Sequence, residues 1–156
     1  MTGWVLLVFS APSMFAVMPR FILTLLVACF ICSAGALQGE PRTVRLLTIG
    51  NSFSRNATNH LDDLAAAGGH TLIHTPIVVG GASLQLHAEK AQAHEADAEA
   101  ADGLYANKRS LKQELKAENW DFVTLQQASI KSHDIQTYQP YAGWLADYVV
   151  RHAPKA

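Results

Sequence analysis

The sequence predicts an α/β fold: a three-layer α/β/α sandwich around a parallel, flavodoxin-like sheet. Three observations predict it. Val44 to Ile49 is a nearly continuous apolar run closed by Gly50, as expected for a strand covered on both faces. Strand-like runs then alternate with helix-period segments in the order β-α-β-α-α-β-α, which implies parallel strands joined by right-handed crossovers. Finally, each strand-like run ends on glycine or polar residues, at Gly50-Asn51-Ser52, Gly80-Gly81 and Gln126-Gln127. In such sheets ligands bind beyond the carboxyl ends of the strands, so these three ends are expected to share a functional rim.

Ahead of the first strand, residues 1–36 are almost entirely apolar, with Arg20 their only charged side chain. Met18-Pro19-Arg20 reads as a second start with a short basic region. An apolar stretch follows from Phe21 to about Ile31, and Ala34-Gly35-Ala36 matches a signal-cleavage pattern that would leave Leu37 first. An uncleaved N-terminal anchor and lipid attachment at Cys29, within Leu26-Val27-Ala28-Cys29, are the other readings. All three place the folded part outside the cytoplasm, with membrane contact only through this segment. Residues 37–43 form a polar linker.

The strand at Val44–Ile49 is expected to be followed by a helix over 56–67, with Leu61, Leu64 and Ala65 on one face and Gly68-Gly69 as its stop. The second strand runs from about Thr71 to Val79, and Pro76 within it argues for an edge position or a bend. Ser83 is placed to cap a helix starting at Leu84. Residues 88–103, rich in Ala, Glu, Asp and His, read either as a solvated helix or as a mobile insertion. Ser110-Leu111-Lys112-Gln113 is a capping box opening a helix to about Glu118, with Leu111 and Leu115 inward. The third strand spans Asp121 to Leu125 or Gln126. After a loop over 130–139, Pro140 suits the first turn of a last helix. That helix is expected to bury Tyr141, Trp144, Leu145 and Tyr148, at spacings of i, i+3, i+4 and i+7, and to end near His152.

The remaining bounds are mostly exclusions. A chain of 156 residues allows one domain, 44–156, and 49% hydrophobic against 16% charged residues is not a disordered composition. The formal net charge of -1 gives no reason to expect nucleic acid. Both cysteines, Cys29 and Cys32, fall in the apolar N-terminal run, leaving the domain without disulfides, thiolate metal sites or a Cys nucleophile. Gly50-Asn51-Ser52-Phe53-Ser54 has a single glycine and no phosphate-binding G-x-G-x-x-G, so no nucleotide cofactor is expected. The seven histidines (His60, His70, His74, His87, His94, His133 and His152) match no zinc spacing and read as surface residues; no metal is expected. Ser52, on the turn after the first strand, is a candidate nucleophile. The simpler account is a serine at the start of the next helix.

Three blocks, Gly50-Asn51-Ser52-Phe53-Ser54, Gly80-Gly81-Ala82-Ser83-Leu84 and Trp120-Asp121-Phe122-Val123-Thr124-Leu125-Gln126-Gln127-Ala128-Ser129, occur in the right order to resemble the SGNH (GDSL-like) hydrolase superfamily. Within it they are similar to an uncharacterised bacterial branch with a G-N-S-F-S first block. The resemblance runs from about Val44 to Ala156 and implies a serine ester hydrolase acting on a small-molecule or carbohydrate ester. Ser52 would be the nucleophile and would donate its backbone N–H to an oxyanion hole. Gly81, or else Gly80, would donate a second N–H, glycine suiting a loop that approaches substrate closely. The third block lacks the Asn usual in the superfamily, which leaves Gln126 or Gln127 as the side-chain donor. Alternation along a strand lets only one of them face the site. Asn51 stands where Asp is commoner and would orient the turn, with Gly50 in support.

The family's closing Asp-x-x-His, source of the general base, occurs nowhere in the sequence. Without a base in reach a serine hydroxyl is a poor nucleophile. The expectation is therefore the N-terminal portion of an SGNH domain, truncated at its C-terminus and with little turnover alone. The alternative is an inactive fragment or a non-catalytic binding module.

Overall fold

A computed structural model describes residues 40–156. The signal, anchor and lipidation readings of the N-terminal run lie outside the described residues. Among the described residues, no helix is long and apolar enough to cross a membrane.

The chain forms β1 (Thr43–Gly50), α1 (Ser52–Thr58), α2 (Leu61–Ala67), β2 (Thr71–Val78), α3 (Leu84–Ala96), α4 (Leu111–Leu115), β3 (Phe122–Leu125) and α5 (Tyr141–His152), with single 3-10 turns at Ala101–Gly103, Ser129–Lys131 and Ile135–Tyr138. The expected α/β architecture holds: three parallel strands in the order β2-β1-β3, flanked by helices. β1 is central and the most deeply buried of the three strands; Leu47 and Ile49 are fully buried and Thr48 nearly so. Pro76 lies in β2, an edge strand, where its missing N–H opens no gap in a ladder on the outer side.

One core cluster joins Leu47 and Ile49 of β1 to Leu84 and Ala88 of α3, Leu111 and Leu115 of α4, Trp120, and Leu145 and Tyr148 of α5. α3 turns Leu84, His87, Ala88 and Ala91 inward. The 88–103 segment resolves into the end of this helix and a turn. There Gly103 packs against His94 so closely that a Cβ at 103 would stand 2.7 Å from its backbone nitrogen. The capping box at α4 is complete: Gln113 N–H donates to Ser110 Oγ over 3.2 Å, and Ser110 N–H to Gln113 Oε1 over 2.9 Å. In α5, Leu145 and Tyr148 are buried, while Tyr141 and Trp144 pack against the edge of the core.

Two boundaries differ from expectation. The helix expected over 56–67 is two helices broken at Asn59-His60, and the first begins four residues early, at Ser52. Asn51 is the reason: its Oδ1 accepts the N–H of Phe53 over 3.0 Å, capping α1 immediately after the strand. With the break the apolar stripe is lost, and Leu64 is 66% exposed. The helix expected to reach Glu118 stops at Leu115. From there Trp120, buried, donates its indole N–H to Glu114 O over 3.0 Å and turns the chain into β3.

Candidate active site

The carboxyl ends of all three strands meet, and one buried side chain ties them together. Asn51 is 1% exposed. While its oxygen caps α1, its Nδ2 donates to Ala82 O over 3.0 Å and to Gln127 O over 3.3 Å. The first carbonyl belongs to the loop after β2 and the second to the segment after β3. An Asn can serve all three bonds because its carboxamide carries an acceptor and two donors; a carboxylate carries only acceptors. This is the physical content of the Asn-for-Asp difference noted in the sequence.

Gly50 is required by space. A Cβ there would come within 2.8 Å of Ser54 Oγ and 2.9 Å of Gln126 Oε1. Its carbonyl accepts from Val79 N–H over 3.1 Å and from His87 Nε2 over 3.1 Å. Since a carbonyl can only accept, Nε2 carries the ring proton, and His87 Nδ1 accepts from the Tyr105 hydroxyl at 3.0 Å. His87 is 0% exposed, which corrects the expectation of a surface histidine. Burial pushes its pKa down to about 4, with the Lys90 charge acting the same way and the bond to Gly50 opposing, so the ring is neutral near pH 7. Burial likewise raises the Tyr105 phenol. The interior position followed from no local pattern. The signal that could have found it was the i, i+4 pairing of His87 with the buried Ala91 on the helix face begun by Leu84.

Against this rigid support stands Ser52, exposed, the first residue of α1. At that position its backbone N–H has no acceptor within the helix. Gly81 lies opposite, in a turn closed by Ala82 N–H to Val79 O over 3.1 Å. It sits at φ +69°, which glycine adopts without strain. Ser52, Phe53, Gly81 and the segment 128–130 line one cavity of about 110 Å³. Gly80 instead faces a groove of about 470 Å³ along the outer edge of β2. Of the two candidate glycines, Gly81 is the one beside Ser52.

The two glutamines divide differently from expectation. Gln127 is buried and its carboxamide is fully engaged: Oε1 accepts from Leu84 N–H and Ala128 N–H, and Nε2 donates to Thr137 O and Oγ1. It staples α3 to the end of β3. Gln126 packs against Gly50 with Oε1 buried and unpartnered among the described residues. Both line a neighbouring groove of about 320 Å³, with Tyr138 and Ser132, rather than the cavity at Ser52. Ala128, Ser129 and Ile130 form the third wall there, which the sequence reading missed.

Among the described residues no hydrogen bond joins Ser52 to a histidine: His87 bonds as above, His74 Nε2 meets Thr48 Oγ1 at 3.0 Å, and His152 lies 3.9 Å from Glu95. Burial lowers the pKa of both His74 and His152. Among the described residues no three His, Cys, Asp or Glu side chains cluster to hold a metal ion.

Residues 45–156 match the family model described as a domain of unknown function, DUF4886. No curated protein matches the chain. Among solved structures the chain is similar to a DUF4886 family protein from Bacteroides uniformis, at 24% identity and a TM-score of 0.58. That likeness covers 70% of this chain and 45% of the other, and at this identity it speaks for the fold alone. The chain spans less than half the length of that neighbour.

Proposed function

This chain belongs to the DUF4886 family, and we propose that it supplies the nucleophile and the backbone donors of an SGNH-type serine ester hydrolase. The observation that carries the reading is the shared cavity of Ser52 and Gly81, held in place by the three bonds of Asn51. In this reading Ser52 Oγ attacks the ester carbonyl carbon and its proton passes to a base. The oxyanion that forms lies between the N–H groups of Ser52 and Gly81. Collapse expels the alcohol, which takes the proton, and water then frees the acid from Ser52 by the same steps in reverse. Backbone donors suit this task because they are fixed before the charge develops; a single such donor is worth roughly 100- to 1,000-fold in rate. Gln126 and Gln127 are left out of the oxyanion hole, since both carboxamides lie away from the cavity. The apolar run before Leu37 supports a setting outside the cytoplasm.

The test is hydrolysis of p-nitrophenyl acetate by the protein expressed from its complete reading frame, beside Ser52→Ala. Ser52-dependent turnover, lost by at least 1,000-fold in the variant, is the expected result. Equal rates in both proteins refute the proposal. A second reading, a binding module without catalysis, is favoured by one observation: no histidine hydrogen-bonds to Ser52 among the described residues. It predicts no turnover in either protein.

A further inference from the structure

We infer that His87 is a positioning residue for the proposed reaction: from inside the core it fixes the Gly50–Asn51 peptide, and through it the backbone that presents Ser52. The inference rests on the reading of Ser52 as the nucleophile. Its basis is a buried polar line that ends at the Gly50 carbonyl. That carbonyl accepts from Val79 N–H over 3.1 Å, the ordinary ladder bond between β1 and β2, and from His87 Nε2 over 3.1 Å. The ladder bond alone would satisfy it, so an apolar side chain at 87 would leave no main-chain group of Gly50 orphaned. Burying an imidazole instead costs free energy unless both ring nitrogens find partners, and the second partner is the Tyr105 hydroxyl, 3.0 Å from Nδ1. Tyr105 is held in turn. Its N–H donates to Arg109 O over 2.9 Å, and Lys90 Nζ donates to the carbonyls of Asp102 and Leu104, each over 2.9 Å. The line therefore runs from the connection between α3 and α4 to the end of β1, with every member satisfied, and such a network is rigid.

The place where it ends is the one that needs holding. Gly50 carries no Cβ, because Ser54 Oγ and Gln126 leave no room for one, so sterics restrain the peptide after it less than at any other residue type. Donors on both lone pairs of its carbonyl replace that restraint. The Asn51 carboxamide ties the turn to its neighbours, whereas His87 sets the rotation of the peptide that leads into it. Ser52 N–H and Oγ lie one peptide further on. His87 does not line the cavity at Ser52, so it acts on the placement of the reacting atoms and not on the surface that receives substrate.

The test compares His87→Leu, which removes the donor, with His87→Gln, whose amide NH2 reaches about the place of Nε2. Both are made in the protein expressed from its complete reading frame. Hydrolysis of p-nitrophenyl acetate is measured beside NMR relaxation of the Asn51 and Ser52 amides. In His87→Leu, kcat should fall roughly 100-fold with KM within about twofold, the size expected when reacting groups shift by ~1 Å. His87→Gln should recover all but about fivefold of it. Backbone order at Asn51 and Ser52 should drop in the first variant and hold in the second. An unchanged kcat in His87→Leu, or equal losses in both variants, overturns the inference and leaves His87 as packing. Unchanged order at Asn51 and Ser52 overturns it whether or not the protein turns over ester. Should His87→Leu fail to fold, Tyr105→Phe removes only the hydroxyl behind the ring. A kcat lowered by roughly fivefold or more at constant KM is then expected, and a wild-type kcat overturns the inference. Lost order in His87→Leu without Ser52-dependent hydrolysis in the wild type would sink the hydrolase reading and leave His87 as the residue that holds the turn.

Discussion

Replacing Asn51 by Asp changes one NH2 to an oxygen and leaves the shape of the side chain intact, so its cost isolates the donor function of the amide. The cap on α1 survives, because a carboxylate oxygen accepts from Phe53 N–H as well as Oδ1 does over 3.0 Å. The two bonds from Nδ2, at 3.0 Å to Ala82 O and 3.3 Å to Gln127 O, are replaced by contacts between oxygens. A buried polar group left without a partner costs about 1–3 kcal/mol, and the longer bond belongs at the low end of that range. Burying a carboxylate adds to this, so we expect Asn51→Asp to lose about 3–5 kcal/mol at pH 7, a large share of the ~5–15 kcal/mol that holds a domain of this size. The sign with pH follows from the same contacts. Burial and two facing carbonyls raise the folded-state pKa of the new carboxyl above its unfolded value of about 3.9. A raised pKa means that the penalty is smallest below about pH 4, where the group is protonated in both states and can donate one bond, and grows as pH rises through the folded-state value. Urea unfolding of the wild type and the variant, at matched pH from 4 to 8, measures the difference directly. A loss under 1 kcal/mol at pH 7, or one independent of pH, would refute the assignment of Asn51 as the tie between the strand ends.

Three further outcomes follow from the same geometry. The depressed pKa of His87, about 4 against an ordinary 6.5, contributes about 3 kcal/mol of stability above pH 6.5, and this is lost as pH falls toward 4. His74 and His152 shift in the same direction, so the measurement is the difference in acid sensitivity between the wild type and His87→Gln, which should be flatter over that window. Gly81→Ala meets no atom within 4 Å but forces alanine to φ +69°, at a cost of about 1–2 kcal/mol; Gly80→Ala meets neither obstacle and should be neutral or slightly stabilising by thermal melt. Ser52→Ala, at an exposed helix start, should leave the melting temperature within about 2 °C of the wild type while abolishing turnover.

The parts of the fold that were legible in the sequence are those whose cause is local. The apolar run of β1, the capping box at Ser110-Gln113 and the period of α5 each stand within a dozen residues and appear as expected. The start of α1 was hidden because Asn51 acts in two places at once. Its role as a cap is local, but its donors reach Ala82 and Gln127, 31 and 76 residues away, and only the assembled sheet brings them near. His87 was misread for the same reason. A histidine amid Gln, Glu and Lys has no local mark of burial, and its partners Gly50 and Tyr105 are 37 and 18 residues distant. Gln126 and Gln127 look interchangeable in a row of letters. Alternation along the strand was enough to say that they differ, but only the position of Leu84 and Thr137 decides that Gln127 is the buried staple.

The central place of β1 also governs the order in which the molecule can assemble. Its partners are not its neighbours in the chain: Thr43 pairs with Thr71, 28 residues on, and Leu46 with Phe122, 76 residues on. Parallel pairing cannot begin with a tight hairpin, so each ladder waits for a crossover to close, and folding dominated by such distant contacts is slow. During synthesis at roughly 5–20 residues per second, the mostly apolar stretch from Leu46 to Ile49 would wait about 4–15 s for β3 to exist. Throughout that interval the nascent chain presents a sticky, half-paired strand, and the amide of Asn51 still lacks its acceptor at Gln127. A chaperone that shields β1 until residue 127 has emerged should therefore raise the soluble yield of this protein more than any substitution on its finished surface.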